Sequence, residues 1–163
     1  MQKAVNKDAF KHPMAEKYFD TVYTLALSRT KDKNHADDVL QEVFLRYIKT
    51  DKEFESEEHI KAWLIHVTIN CSKDVFTSSW YKKTAPLTED LTFETKEKSD
   101  VYFAVSKLPK KYRTVIHLFY YEDMSIAEIA ECMESKESTV KSWLHRARKM
   151  LEETLKGGAD YEF

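Results

Sequence analysis

Glycine is almost absent from this chain of 163 residues, and its two glycines, Gly157 and Gly158, lie near the C-terminus. Alternating runs of β-branched residues are also few. The tight turns that join β-strands need glycine or another residue that tolerates positive φ. Because a sheet protein would lack its usual turn residues here, the sequence predicts an all-α fold.

Cysteine is scarce as well, and neither Cys71 nor Cys132 belongs to a CxxC motif or to a Cys/His cluster with zinc spacing. We expect both thiols to be reduced and structural. The sequence has no HExxH motif, no glycine-rich phosphate loop and no recognisable nucleophile arrangement. These absences predict a protein that needs no cofactor and is not an enzyme.

Long apolar segments are missing too. No run of eighteen apolar residues occurs, and the N-terminal stretch MQKAVNKDAF has no apolar core of signal-peptide length. We therefore expect no membrane insertion and a cytoplasmic location.

Positive charge is concentrated in one short segment, although the formal net charge of the chain is -2. The residues Lys136–Lys149 include five lysines and arginines and one acidic residue, Glu137. A protein that coats nucleic acid non-specifically usually carries a broad basic surface. Here the basic residues lie on one predicted helix.

Apolar residues at three- and four-residue steps predict three amphipathic helices in the N-terminal half. These are Met14–Leu27, the stretch HADDVLQEVFLRYI and, after a charged loop TDKEFESEEHI, the stretch IKAWLIHVTINCSKDVF. The second helix should bury Val39, Leu40, Val43, Phe44, Tyr47 and Ile48. Its opposite face should present Asp37, Asp38, Gln41, Glu42 and Arg46.

The stretch KTAPLTEDLTFETKEKSD is acidic, rich in threonine and contains Pro86, a composition typical of linkers. We therefore predict two small helical domains, 1–84 and 105–156, joined by a flexible acidic linker, 85–104. A flexible tail, 157–163, should follow, with Gly157 ending the last helix as a glycine C-cap.

The second predicted domain contains a candidate helix-turn-helix. An apolar helix face follows Pro109, which suits an early helical position: Tyr112, Val115, Ile116, Phe119 and Tyr120. Ser125 and Glu128 have capping-box spacing at the start of the next helix, SIAEIAECM. The basic helix begins after a break of three or four residues, the spacing of motifs whose second helix enters the DNA major groove.

This basic helix is the candidate recognition helix. Its buried side should be Val140, Leu144, Ala147 and Leu151, packed against Ile126, Ile129, Ala130 and Met133. Residues near its start would meet base edges, and later cations would meet phosphates. The candidates are Glu137, Ser138, Thr139, Lys141, Ser142, Trp143, His145, Arg146, Arg148 and Lys149. On composition alone, an ordinary helical hairpin with a solvated basic face is an open alternative.

The break between the two helices has an unusual composition. Glu134 occupies a position where glycine would ease the turn, and Ser135 stands where an apolar plug is normal. We expect the Ser135 hydroxyl to cap the second helix.

The stretch LPKKYRTVIHLFYYEDMSIAEIAECMESKESTVKSWLHRARKML, Leu108–Leu151, closely resembles region 4 of extracytoplasmic-function (ECF) sigma factors. HADDVLQEVFLRYI followed by AWLIHVTINCSKD is similar to region 2 of the same family, in the expected order. The resemblance implies a bacterial transcription-initiation subunit that binds core RNA polymerase and promoter DNA at the minus-35 and minus-10 elements. It also implies contacts with the β′ coiled coil and the β subunit, and a possible anti-sigma factor.

The resemblance assigns roles to individual residues. The helix with Asp37, Asp38, Gln41, Glu42 and Arg46 would dock on the β′ coiled coil. Trp63–Lys83 is similar to the part that opens the minus-10 element, although Trp63 itself falls on the apolar face and is expected in the core. Amide, cationic and aromatic side chains there suit base edges, phosphates and stacking. These candidates are Asn70, Lys73, Asp74, Trp80, Tyr81, Lys82 and Lys83.

The chain departs from the family pattern at several positions. Asp123, Glu134 and Ser138 stand where glycine is common, Lys136 where serine is common, and Trp143 where arginine is common. Phe76, Thr77 and Ser78 occupy a stretch where the family often has arginine. An exposed Trp143 should alter contact with the minus-35 element, whereas a buried one would pack.

Two other functions fit part of the sequence. A helix-turn-helix regulator would bind duplex DNA without polymerase. An all-helical adaptor would use its basic helix to bind an acidic protein. Both leave the region 2 resemblance unexplained.

Overall fold

The computed structural model describes residues 13–77 and 99–162, with side chains described for 13–73 and 100–156. All regular structure in these ranges is helical, which confirms the all-α prediction. The chain divides into two compact units, Met1–Ala85 and Pro86–Phe163. The finer domain limits stay a prediction, because most of the proposed linker lies outside the described residues. Residues 99–104, predicted as part of the flexible linker, are helical.

The N-terminal unit is a bundle of three helices that pack against one another. A helical turn at residues 13–17 precedes α1 (Phe19–Thr30), α2 (Lys33–Lys49) and α3 (Glu57–Thr77). α3 begins earlier than predicted, within the segment that was expected to be a loop. Glu57 and Glu58 lie in its first turn, where negative charge is favourable beside the free amides.

A row of apolar side chains from all three helices forms the core of this unit. α2 contributes Val39, Val43 and Tyr47 at four-residue steps. The partly buried Trp63 packs on Tyr47, with ring centroids 5.9 Å apart, which confirms its expected place in the core. Ile48 was predicted on the buried face, but it is 45% exposed because it follows Tyr47 by one residue and so points about 100° away.

Buried polar groups fix the ends of these helices. Asp32 caps α2 by accepting a hydrogen bond from the Asn34 amide at 2.9 Å, and its second oxygen lies 2.8 Å from Nδ1 of the buried His35. The buried Arg29 donates from Nε to the Ser72 hydroxyl, which joins α1 to α3. Because removing one partner of a buried polar pair is costly, these bonds favour a single arrangement of the bundle.

The C-terminal unit contains α4 (Ser99–Ser106), α5 (Lys110–Ile116), α6 (Ile126–Cys132) and α7 (Glu137–Glu162). α7 packs against the other three helices. Its core includes side chains that are almost fully buried: Val115, Leu118, Ile129, Val140, Leu144 and Ala147. None of the helices within the described ranges is long and apolar enough to cross a membrane.

A π-helical turn, His117–Tyr121, follows α5 directly. The wider turn changes the angle between successive side chains, so a face read at α-helical spacing shifts after Ile116. His117 and Leu118 are buried, whereas Tyr120 is 55% exposed. The prediction that Tyr120 lies on the apolar face was therefore wrong.

α7 also runs farther than the sequence suggested. The helix continues through Gly157 to Glu162, and no glycine in the described residues has positive φ. Glycine permits a left-handed cap but does not require one. The expected C-cap at Gly157 was therefore wrong.

Candidate nucleic-acid interface

α6, a four-residue break and α7 form the helix-turn-helix. The predicted capping box is confirmed at the start of α6: Oγ of Ser125 accepts from the Glu128 amide at 3.1 Å, and Oε1 of Glu128 accepts from the Ser125 amide at 2.8 Å. These two bonds satisfy amides that would otherwise be free at the helix start. The local sequence thus fixes where the first helix begins.

The break is a Schellman turn built without glycine. Glu134 has a φ of 52°, and its amide donates to the Glu131 carbonyl, while the Ser135 amide donates to the Ala130 carbonyl at 2.9 Å. The Ser135 hydroxyl donates to the Met133 carbonyl. α7 begins at Glu137, which leaves Lys136 rather than Ser135 next to its first residue, so the predicted Ser135 cap was wrong.

α7 separates buried from accessible residues largely as the sequence predicted. Val140, Leu144 and Ala147 are at most 1% exposed, whereas Leu151, predicted on the same buried side, is half-buried. Most of the candidate DNA-binding residues are exposed on the same helix: Glu137, Ser138, Lys141, Ser142, His145, Arg146, Arg148 and Lys149. Thr139 and Trp143 are half-buried at the border of this surface. The helix thus presents cations and hydrogen-bonding groups from one rigid element.

Arg148 is held by aromatic side chains of the π-helical turn. Its Nε donates to the Tyr120 hydroxyl at 2.7 Å, and its guanidinium carbon lies 5.4 Å from the Phe119 ring centroid. Rings at this distance attract a cation. These contacts restrict the positions that the Arg148 guanidinium can take beside α7.

α2 carries the candidate polymerase-binding residues on its outer side. Asp38, Gln41, Glu42 and Arg46 are exposed, and Asp37 is half-buried. Arg46 donates from Nε to Oε2 of Glu42 at 2.7 Å.

Two apolar residues on this side of α2, Leu45 and Ile48, are exposed. Sequence reasoning did not single out Leu45, and it placed Ile48 on the buried face. Leu45 shares a face with Asp38 and Glu42, at spacings of seven and three residues. Its position in the helical repeat does not coincide with the buried row of α2. This difference in phase could have predicted from the sequence that Leu45 is exposed. Leu45 and Ile48 together place apolar area between polar side chains, a composition that protein interfaces share.

The minus-10 candidates are only partly described. Asn70 is half-buried on α3, with its amide nitrogen 3.1 Å from Nε2 of His66, and Lys73 is exposed. Asp74 lies in α3, but its side chain is outside the described residues. Trp80, Tyr81, Lys82 and Lys83 lie outside them altogether. His66 was not singled out from the sequence, although its spacing of four residues from Asn70 places it on the same helix face.

An apolar groove of about 620 Å³ lies on the C-terminal unit. Its lining includes Val101 and Val105 of α4, the exposed Tyr121, and Leu151 and Leu155 of α7. Duplex DNA offers mainly phosphates to a protein surface. The groove therefore has the chemistry of a protein contact rather than of a DNA contact.

Neither thiol is available for chemistry. Cys71 and Cys132 are both free and buried. Burial, with Glu131 and Glu128 nearby, raises the pKa of Cys132 to about 12. Within the described ranges, no group of three or more His, Cys, Asp and Glu side chains could hold a metal ion.

Comparison with known protein families matches both units. Residues 14–81 match the model for sigma-70 region 2, and residues 99–151 match the model for sigma-70, region 4. These matches define the class as a sigma-70 type transcription factor with both regions in order.

Curated relatives identify the family within this class. The chain is 32% identical over 160 residues to the ECF RNA polymerase sigma factor SigM of Bacillus subtilis, with 89% of this chain and 94% of the relative covered. It is 28% identical to SigW of the same organism, with 94% and 92% covered. The chain belongs to the ECF family of RNA polymerase sigma factors, and its function is transcription initiation.

A solved structure supports the fold. The sigma factor RpoE of Bartonella quintana, crystallised with the anti-sigma factor NepR, is 21% identical with a TM-score of 0.64. The match covers 91% of this chain and 97% of that one. Its two helical domains agree with the all-α, two-unit fold described above.

Proposed function

We propose that this sigma factor divides promoter recognition between its two units: α7 binds the minus-35 element, and the N-terminal unit binds core polymerase and the minus-10 element. This proposal rests on the exposed cationic surface of α7. The opposite side of the helix is buried through Val140, Leu144 and Ala147. Lys141 and Arg146 lie on that surface. A helix of this kind fits the major groove, and its cations suit base edges and phosphates.

The outer face of α2 would dock on the β′ coiled coil. Asp38 and Glu42 supply negative charge, and Leu45 supplies apolar area between polar neighbours. An apolar centre with a polar rim is the usual composition of a protein interface. The apolar groove of the C-terminal unit would serve as a second contact, with the β subunit.

Asn70 and Lys73 would begin the minus-10 surface on α3. An amide can hydrogen-bond the edge of an unstacked base, and an ammonium can bind a phosphate of the separated strand. The contact between Asn70 and His66 would restrict the orientation of the amide. Asp74, Trp80, Tyr81, Lys82 and Lys83 would continue this surface, as the sequence predicts.

Binding without chemistry would suffice for this role, because sigma factors are non-enzymatic regulators. We expect the protein to act in the cytoplasm, where it would meet polymerase and DNA. By analogy with RpoE, whose structure was solved with an anti-sigma factor, we also expect an anti-sigma factor to hold it inactive.

Run-off transcription from a library of genomic fragments tests the proposal. Core polymerase with this protein should give new start sites that share spaced minus-35 and minus-10 sequences. On such a promoter, the Lys141→Ala/Arg146→Ala variant should bind about 30-fold more weakly or worse, since each base or phosphate contact contributes about 1–3 kcal/mol. Its affinity for core polymerase, measured separately, should not change.

A matched control removes two cations elsewhere. Lys52 and Lys107 are exposed, and Lys52→Ala/Lys107→Ala changes the net charge by the same amount. This control should keep native promoter binding. An equal loss in both variants would mean that total charge, rather than the surface of α7, determines binding. Duplex binding without any new start sites would instead favour the helix-turn-helix regulator.

A further inference from the structure

Lys111 of α5 lies beside the recognition helix. Its Nζ is 5.6 Å from the ring centroid of Trp143 and 5.2 Å from that of Tyr112. Both distances are within the range in which an aromatic ring attracts a cation. Lys111 is exposed, and no salt bridge to it is found among the described residues. Two rings thus hold an ammonium that lacks a carboxylate partner in this part of the chain.

Trp143 places this ammonium on one flank of α7. Side chains advance about 100° per residue around a helix, so Ser138, Ser142 and Lys149 mark the centre of the exposed face. Trp143 follows Ser142 by one such step. Its half-buried ring therefore lies at the border between the exposed face and the buried row that includes Leu144. Lys111 extends the positive surface sideways, from a second helix.

The opposite border of α7 has a similar arrangement. Arg148 lies there, held by Phe119 and Tyr120. A helix with its side chains is about 10–12 Å across, and the major groove is about 12 Å wide. The phosphate backbones that border the groove therefore run along both flanks of an inserted helix. Each flank of α7 has a cation fixed by aromatic rings.

We propose that Lys111 binds a phosphate of the promoter duplex and that Trp143 is a positioning residue that holds its ammonium beside α7. The proposal rests on the proposed binding of α7 to the minus-35 element. Lys111 lies outside the helix that carries the other minus-35 candidates. The minus-35 surface would thus include α5 as well as the recognition helix.

Salt dependence distinguishes a phosphate contact from a structural role. Holoenzyme binding to a duplex that carries the upstream element should be measured from about 50 to 200 mM salt, because the affinity of protein–DNA complexes usually falls strongly over this range. Lys111→Ala should reduce the slope of log affinity against log salt by about 1 and weaken binding about fivefold at low salt. Lys111→Arg should retain both the slope and the affinity.

Trp143 is tested through its coupling to Lys111. Trp143→Leu should weaken binding about threefold in the native chain by freeing the ammonium, and it should have little effect once Lys111→Ala is present. Equal effects of Trp143→Leu in both backgrounds would refute the positioning role. Hydrogen exchange of α7 amides should show that each variant is folded.

Lys107→Ala is the matched control, because Lys107 is an exposed lysine of the same unit whose Nζ also lies over an aromatic ring, 4.4 Å from the Phe103 ring centroid. It should keep the native salt slope. If Lys111→Ala also keeps the native slope while Lys141→Ala/Arg146→Ala loses binding, the Lys111 contact is refuted and the role of α7 stands. If the double variant binds normally, the proposed function of α7 itself fails.

Discussion

Single residues in the left-handed region form three turns of this chain: Lys31, Asp123 and Glu134 have φ values of 55°, 57° and 52°. Left-handed backbone costs most non-glycine residues about 1 kcal/mol, because Cβ approaches the following carbonyl. Aspartate tolerates this conformation better than glutamate, since its short side chain can bond locally. Glu134, between the two helices of the DNA-binding motif, is therefore the more strained of the two acidic positions.

Replacing Glu134 with glycine should stabilise the C-terminal unit by about 0.5–1 kcal/mol. Glycine relieves the steric cost at positive φ, and the greater freedom of the unfolded chain offsets only part of this gain. The exchange of protected α6 amides should slow by about twofold to fivefold, because protection follows the free energy of opening.

Glu131→Gly is the matched control, because Glu131 is exposed within α6. Glycine in a helix interior costs about 1 kcal/mol, so exchange should accelerate in this variant. Destabilisation by both substitutions would show that the turn at Glu134 is not strained.

At the scale of a single element, the π-helical turn begins with a buried histidine, His117. His117 is 8% exposed and stacks on Tyr121, with ring centroids 5.2 Å apart. Burial lowers the pKa of His117 to about 4, although the Glu122 carboxylate lies 3.9 Å from its Nε2. The native unit therefore holds this ring neutral at pH 7.

Stability of the C-terminal unit should fall as pH decreases from about 6.5 to about 4. The unfolded chain protonates His117 near its ordinary pKa, while the folded unit resists protonation, so unfolding takes up a proton in this window. Above pH 6.5 the free energy of unfolding is not reduced by His117. Near pH 4 the uptake of the proton lowers this free energy by up to about 3 kcal/mol. Amide exchange in α5, corrected for intrinsic rates, measures this loss, and the shift of the His117 ring protons in NMR measures the pKa.

His117→Leu should remove this contribution to the pH dependence, leaving the part due to carboxylates. His145→Gln removes an exposed imidazole from the same unit and should keep the native dependence. A measured pKa near 6.5 for His117 in the folded chain would contradict the prediction.

At the scale of the whole molecule, two compact units separate the proposed tasks. Candidate polymerase contacts lie on α2 of one unit, and candidate upstream DNA contacts lie on α7 of the other. A substitution in one unit should therefore affect one kind of binding.

Asp38→Lys/Glu42→Lys should weaken binding to core polymerase by about 100-fold. Like charges placed across an interface cost several kcal/mol, whereas the exposed pair of Glu42 and Arg46 contributes little to folding. Competition with the native chain for core polymerase measures the effect. Glu53→Lys/Glu55→Lys makes the same change in charge in the exposed segment after α2 and should bind normally. Equal losses would indicate a general effect of charge.

The fold could be predicted from periodicity wherever one helical period continued unbroken. The buried row of α2 and the face of α7 with Val140, Leu144 and Ala147 follow α-helical spacing, and the structure confirms them. Tyr120 was misplaced because a π-helical turn changed the period within an apolar run. The end of α7 was misplaced because glycine allows more than one backbone conformation.

The candidate sites were predictable when local sequence determined exposure. Charged and polar residues of α7 are accessible because each lies away from its buried row. Leu45 was missed because only polar residues were considered for binding on α2, although its phase places it on the same face as Asp38 and Glu42. The neighbours of Trp143 and Arg148 could not be predicted, because Lys111 and Tyr120 approach α7 from elsewhere in the chain.

The two buried cysteines lie one in each compact unit: Cys71 in the first and Cys132 in the second. The thiolate attacks an alkylating reagent and displaces its leaving group, and a buried thiol forms this thiolate only when it reaches water. The labelling rate of each cysteine therefore reports how often its own unit opens. Mass spectrometry of the two cysteine-containing peptides would give both labelling rates from the native chain. The rates would show whether polymerase or DNA slows the opening of the first unit, of the second unit, or of both.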